Sequence, residues 1–513
     1  MNMPAHQLNP SMTIATLLRG FAEAPGIAIS SIASDTRDVR EGTLFLACRG
    51  ERSHGLDYAA QAIEAGAAAI AYDASTARKV PEIDAPLIPV DGLRGRLGEI
   101  ANRFYDHPSQ SVRVLAVTGT NGKTTVAWLL AQCLQRLGRT CGYAGTLGFG
   151  VDELGGGEGM TTPDVVELHR RLAMFRDAGA NCAAVEVSSH ALAQDRIDGV
   201  AIDTALFTNL TRDHLDYHGD MQAYGEAKAS LFLAAEPARQ IVNVDSNFGC
   251  ELAKRCGRDV IRVSMDAARI DSGLPHVVLR ATASTGHGFD VSIASSWGEG
   301  RFSLPLHGEF NIANAALVLA FLLSDGVPLD TASDALAAVK PPPGRLQRVD
   351  VDAGPTVFVD YAHTPAAVES ALDALRPHCD GELWCVFGCG GDRDAGKRPL
   401  MGSVVERLAD RVVVTNDNPR SEDPGQIIEA ILGGLEAPGS ATVIEDRGAA
   451  IAWTIGNAAA ADVVLLAGKG HENYQVIGDE RRDFSDYGVA AASLAARTLV
   501  TMPPRPSPPP LPL

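Results

Sequence analysis

A three-domain α/β protein built around mainly parallel sheets is the fold class this sequence predicts, and three observations predict it. The 513 residues suit about three domains at roughly 100–200 residues each. Short apolar runs of strand length alternate with helical stretches along most of the chain. A continuous apolar run at 112–118 then leads through a glycine-rich turn into an apolar helical pattern at 123–137, as parallel sheets require.

The first domain is predicted from TLFLA at 43–47, a helical AAQAIEAG at 59–66 and AAIAY at 68–72. It ends in the polar, proline-containing stretch 105–111. The second opens with VRVLAVT at 112–118 and carries further strand candidates at 183–188, 204–210 and 240–245. The proline triplet 341–343 is the clearest linker. Beyond it TVFVDY, LWCVFG, RVVVTND and DVVLLAG are each followed by a helical pattern, which predicts a third, Rossmann-like domain. The expected boundaries are 1–110, 111–340 and 341–500, with a disordered proline-rich tail at 501–513.

The formal net charge of −19 argues against a protein that coats nucleic acid or anionic membrane, since both need a summed positive field. Nine cysteines with no CxxC pair read as small buried hydrophobes in a reducing compartment. No leader pattern and no apolar run approaching 18 residues is present, so a cytoplasmic protein is expected. Only seven of the 44 basic residues are lysines, at 79, 123, 228, 254, 340, 397 and 469. In a chain that otherwise uses arginine, a lysine can mark a place where a compact, deprotonatable amine is needed.

GTNGKTT at 119–125 is the strongest single motif. A strand, a glycine turn and a helix N-terminus direct backbone N–H groups and the positive helix end at one phosphate. Lys123 would reach terminal phosphates, and the Thr124 hydroxyl would take a Mg2+ position. Val117 stands where the general P-loop pattern has its first glycine, so this is a variant loop. Glu186, at the end of a predicted strand, could reach a metal at the loop mouth or belong to a polar turn. His214 and His218 have the i, i+4 spacing of a zinc pair, but their acidic neighbours favour a Mg2+ or phosphate setting. From spacing alone, Lys228 in YGEAKASLF reads as an exposed helical lysine.

Taken together, GTNGKTT, SSHALAQDR, TNLTRDHLDYHG, EAKASLF, HGEFNIANAAL, PGRLQRV and VDYAHTPAAVE resemble the Mur ligase family, in the family's order and over nearly the whole chain. The resemblance implies an N-terminal UDP-sugar-binding domain, a central P-loop-type ATPase domain and a C-terminal domain for the incoming amino acid. It implies a monomeric ATP-dependent amide ligase working through an acyl phosphate in peptidoglycan precursor synthesis. Gly119, Thr120, Asn121, Gly122, Lys123, Thr124 and Thr125 would hold ATP, joined by Asn311, Asn314, Arg345 and Asp360. Thr124 and Glu186 would share one Mg2+, and His214 and a CO2-derived carbamate on Lys228 would serve a second. The catalytic set it implies is Lys123, Lys228 and His214.

The same resemblance implies UDP-MurNAc-L-Ala-D-Glu as the acceptor, at Ser34, Thr36, Thr161, Thr162, Ser188, Gln194 and Arg196. The sequence departs from other members at Met160 and at Glu51, Arg52 and Ser53, and has Thr36 in place of the usual serine. DNPR at 417–420 is a turn signal by itself, but within a Mur ligase it looks like the signature for adding meso-diaminopimelate. Arg420 would fork onto a distal carboxylate that lysine lacks, with Asp417, Asn418, Pro419, Arg393, Gly468 and Glu472 around the same amino acid. Two other classes share features of this reading: a folylpolyglutamate synthase, and a P-loop switch that ligates nothing.

Overall fold

Strands form where the chain runs continuously apolar, and three main parallel sheets result. The computed structural model describes residues 12–50, 53–77, 79–152, 154, 160–285, 287–351 and 354–501. Residues 51 and 52 of the departing loop, and the proline-rich 502–513, lie outside that set. Two compact units are present, one of Met1–Leu279, Ile293–Gly300 and Ala313–Leu336, the other of Arg280–Ser292, Arg301–Ile312 and Ala337–Leu513.

In the first unit, β1 (Ser31–Ala33), β2 (Thr43–Ala47), β3 (Ala67–Asp73) and β4 (Leu87–Val90) pair in sequence order, all parallel. Their core also takes Val165, Val166 and Ala173 from the helix Val165–Asp177. Asp164 caps that helix by accepting from the Val166 and Glu167 amides, which satisfies two of its free N–H groups.

The second sheet contains β5 (Arg113–Thr118), β6 (Cys141–Gly145), β7 (Gly148–Gly150), β8 (Cys182–Glu186), β9 (Ile202–Phe207), β10 (Arg239–Asn243), β11 (Ile261–Ser264), β12 (His276–Thr285), β13 (Gly288–Ser295) and β14 (Gly298–Leu304). Its order is β14-β13-β12-β11-β10-β9-β5-β8-β6-β7. β5 lies between β8 and β9, parallel to both. The C-terminal ends of these three strands therefore emerge side by side, where α/β folds place their ligands. β5, β8 and β9 appear in the sequence as apolar runs because both of their faces are covered.

The other unit holds β15 (Gln347–Arg348), β16 (Thr356–Asp360), β17 (Leu383–Phe387), β18 (Arg411–Val414), β19 (Thr442–Val443) and β20 (Val463–Ala467), in the order β15-β16-β20-β17-β18-β19. All neighbours are parallel except β15 with β16. A hairpin of β21 (Tyr474–Ile477) and β22 (Glu480–Asp483) follows. Arg447 and Asp486 form a bidentate ion pair at 2.7 Å, both side chains fully buried, and Arg447 also donates to the carbonyls of Asn416 and Ala467. Removing one partner strands a buried charge. Arg447→Met is expected to lower stability by about 3–5 kcal/mol in equilibrium urea unfolding, and a loss under about 1 kcal/mol would refute this account.

Candidate active site

The glycine turn follows β5 and opens the helix Lys123–Arg136. Gly119 and Gly122 have φ of +148° and +86°. A Cβ on Gly119 would stand 1.8 Å from Thr208 Oγ1, and one on Gly122 would stand 2.4 Å from Asn314 Oδ1, so the loop has room only for glycine at both points. Asn209 and Thr208 hold the loop further: Asn121 N donates to Asn209 Oδ1 at 3.0 Å, and Thr208 Oγ1 donates to Asn121 O at 2.6 Å. Thr120 Oγ1 lies 3.1 Å from the Tyr224 hydroxyl and accepts from the Thr211 amide. Thr125 is buried behind the loop.

Two lysines meet at one oxygen. Lys123 Nζ donates to Gly119 O at 3.0 Å and Thr120 O at 2.9 Å, and Lys228 Nζ donates to Gly119 O at 2.8 Å. Lys228 comes from the helix Met221–Leu233 and is 1% exposed, which overturns the reading of it as an exposed helical lysine. The periodicity placed it on a helix, but the face it occupies turns inward beneath the phosphate loop. Burial first, and the charge of Lys123 second, push its amine down to about 6. Its Nζ sits 4.4 Å from the centre of the Tyr224 ring, and the His214 ring is 6.1 Å from that same ring. His214 has φ of +53° and is half-exposed, with His190 4.8 Å away.

Glu186 is the last residue of β8 and is 1% exposed. Its carboxylate accepts from Thr124 Oγ1 at 2.9 Å, Tyr143 OH at 2.5 Å, the Thr146 amide at 2.9 Å and Thr146 Oγ1 at 3.2 Å. Thr124 and Glu186 thus come together as expected. Tyr143 and Thr146 are partners that sequence reading missed, because neither belongs to a motif or a periodic pattern. No group of three or more His, Cys, Asp or Glu side chains is arranged as a metal cage among the described residues. The hard oxygen pair of Thr124 and Glu186, beside the glycine loop, nonetheless fits Mg2+.

Beside Glu186, Thr162 Oγ1 donates to Glu186 O at 2.8 Å and accepts from the Ser188 amide at 3.0 Å. Thr161 Oγ1 accepts from Thr146 Oγ1 at 3.3 Å. Arg196 donates to Thr162 O at 2.9 Å and to Gln194 Oε1, and Gln194 donates to the Tyr217 hydroxyl at 3.0 Å. Thr161, Thr162, Ser188, Gln194 and Arg196 therefore form one continuous polar network. Ser34 Oγ reaches Asp164 Oδ1 at 3.3 Å, while half-buried Thr36 sits in a short turn capped by Asp35. Asn314 faces Gly122.

In the other unit, Asn311 donates to His307 O at 2.7 Å. Asp360 ends β16 and accepts from the amides of Leu346 at 2.7 Å and Ala362 at 2.8 Å. Packing around its carboxyl pushes it above the usual carboxylate range, against the pull of Arg345. The Arg345 guanidinium lies 4.9 Å from the Tyr361 ring centre, and its Nε is buried without a hydrogen-bond partner among the described residues.

The DNPR turn follows β18. Arg420 has φ of +51° and donates to Gly391 O at 2.7 Å, while its own amide donates to Val476 O at 3.1 Å. Asp417, Asn418 and Pro419 are buried, and Asn418 Nδ2 donates to Glu472 Oε2 at 2.9 Å. The Gly468 amide donates to Asp360 O at 3.1 Å. Arg393 is exposed on the loop after β17.

A strand, a glycine turn closed to side chains, a helix and an adjacent acid define a P-loop-type α/β protein with two further α/β domains. Matches to the Mur ligase family cover residues 28–105 (catalytic domain), 117–322 (middle domain) and 344–470 (glutamate ligase domain). The chain is 46% identical over 477 residues to a UDP-N-acetylmuramoyl-L-alanyl-D-glutamate--2,6-diaminopimelate ligase of Pseudomonas putida, covering 91% of this chain and 95% of that one. A protein of the same name from Coxiella burnetii is 43% identical, with 91% and 96% covered. A solved structure of a ligase of that name superposes with a TM-score of 0.67 at 32% identity, covering 95% and 99%. The fold is shared with a Mycobacterium tuberculosis folylpolyglutamate synthase, at 22% identity, a TM-score of 0.58 and 80% and 96% coverage. The chain belongs to the Mur ligase family.

Proposed function

We propose that this protein joins meso-diaminopimelate to the D-Glu γ-carboxylate of UDP-MurNAc-L-Ala-D-Glu at the expense of ATP, as a cytoplasmic monomer acting on small molecules. No helix among the described residues is long and apolar enough to cross a membrane. The observation that carries the reading is the meeting of Lys123 and buried Lys228 at Gly119 O, beside the Thr124–Glu186 pair. A switch ATPase has no need of a second, nearly neutral lysine there. Near-full-length likeness to diaminopimelate ligases, together with DNPR, favours this reading over a folylpolyglutamate synthase.

In the reaction the γ-carboxylate oxygen bonds to the γ-phosphorus of ATP as the β–γ bridge breaks and ADP leaves. The amine of the incoming amino acid then attacks the acyl carbon. Its C–N bond forms, the C–O bond breaks, phosphate leaves and the amine proton passes to solvent. Residues 119–125 hold the phosphates with N–H groups and the Lys123 amine, and Asn314 faces the same loop at Gly122; Asn311, Arg345 and Asp360 are assigned to the nucleotide by the family resemblance. Thr124, Glu186, His214 and the Lys228 carbamate would hold Mg2+, which supplies charge neutralisation where two anions meet. A neutral Lys228 amine forms that carbamate by bonding to the carbon of CO2 and losing a proton. Thr161, Thr162, Ser188, Gln194 and Arg196 orient the dipeptide, with Ser34 and Thr36 toward the uridine.

Phosphate release measured with ATP, Mg2+ and the UDP-muramoyl dipeptide should require meso-diaminopimelate and yield one tripeptide per phosphate. Release that is independent of the added amino acid would sink the ligase reading.

A further inference from the structure

Lys469 is 0% exposed, although no motif assigns it a task. Its Nζ donates to Asn418 Oδ1 at 3.1 Å and to Glu472 Oε2 at 2.9 Å, and it lies 5.5 Å from the Tyr474 ring centre. Asn418 Oδ1 also accepts from the Val476 amide at 3.0 Å, while its Nδ2 donates to the same Glu472 Oε2. This arrangement allows only one orientation of the Asn418 amide. Flipped, its NH2 would face two donors, Lys469 Nζ and Val476 N. Glu472 is held equally firmly through Oε2, and Oε1 has no hydrogen bond among the described residues.

The network joins the DNPR turn to the turn after β20. It also bears on the local charge, because Glu472 and Asp417 are acidic members of the predicted amino-acid site, whose assigned cations are Arg393 and Arg420. Truncating Lys469 would leave Glu472 held by Asn418 Nδ2 alone and would tilt the predicted amino-acid site toward excess negative charge. A fully buried lysine with both partners in one predicted amino-acid pocket does more than cover a surface.

Resting on the function proposed above, we infer that Lys469 is a positioning residue for amino-acid specificity. It fixes Asn418 and Glu472 so that Glu472 Oε1 receives an ammonium of the incoming diamino acid, and it offsets the acidic charge that would otherwise draw in L-lysine.

Steady-state kinetics of Lys469→Met, Glu472→Gln and the double variant test this, with nucleotide affinity and thermal unfolding measured alongside. Lys469→Met should raise KM for meso-diaminopimelate by about 30-fold or more, change kcat little, leave ATP affinity intact and lower the kcat/KM preference for meso-diaminopimelate over L-lysine. In the double variant, KM should match that of Glu472→Gln, because Asn418 Oδ1 keeps the Val476 amide when Lys469 is lost and the effect of Lys469 on substrate then runs through Glu472. Fully additive effects, or a fall in kcat at constant KM, would overturn the inference. If Lys469→Met does not fold, Glu472→Gln decides alone, and an unchanged KM would overturn it. Amino-acid-independent phosphate release by the unaltered protein would instead remove the functional reading itself.

Discussion

Replacing Lys228 with alanine is expected to lower ligase activity by on the order of 10²- to 10³-fold, and millimolar acetate or another short carboxylate is expected to restore part of it. The physical reason is the amine's setting. Buried under the phosphate loop and repelled by Lys123, it is held down to about 6, so near pH 7 it is mostly neutral and can capture CO2. Arginine in its place would stay charged and could not do so, and Lys228→Arg should therefore be as inactive as alanine and resist rescue. Stability moves with a defined sign. An unfolded lysine binds a proton up to its ordinary value of 10.5, while the folded amine releases it near 6, so the unfolded chain holds more protons between those values. The native state is penalised at neutral pH, and the penalty fades as pH rises toward the unfolded value. In CO2-depleted buffer, where the amine is unmodified, Lys228→Met should accordingly unfold at a higher urea concentration than the unaltered protein at pH 7. Full activity of Lys228→Ala without added carboxylate would end the carbamate assignment.

That lysine also shows where sequence reading succeeds and where it stops. β2, β3, β5, β8, β9, β10, β16, β17, β18 and β20 are legible because strands covered on both faces are written as largely apolar runs. β12 to β14 were not, since much of this meander is exposed and its alternation is dominated by Arg, Ser, Thr and Gly. The hairpin of β21 and β22 escaped for the same reason, with all of β22 exposed. At the site, the pairing of Thr124 with Glu186 followed from strand ends, which a sheet brings together predictably. Burial of Lys228 did not, because it depends on which helix face meets the loop after folding. The Lys469, Asn418 and Glu472 network likewise joins residues 51 and 3 positions apart, and only the scarcity of lysine hinted that Lys469 belongs to it.

The second large effect is expected at Arg420. Its backbone is already committed: a left-handed conformation at φ +51° and a β-bridge to Ile477 aim the side chain, and its Nη1 reaches Gly391 O at 2.7 Å. A positively charged fork held this way suits a carboxylate, which meso-diaminopimelate has at its distal end and L-lysine lacks. Offering lysine leaves the guanidinium facing an ammonium, a mismatch worth a few kcal/mol. Arg420→Ala should therefore raise KM for meso-diaminopimelate by about 10²-fold or more, with ATP affinity preserved because none of the phosphate-loop residues is touched. Arg420→Lys should recover only part of the loss, since a point charge cannot reproduce the two-pronged contact. The decisive comparison is between substrates. If the alanine variant loses meso-diaminopimelate and L-lysine utilisation in equal proportion, Arg420 supports the turn and does not read the carboxylate. If discrimination collapses while nucleotide binding stands, the DNPR turn is the element that chooses the amino acid.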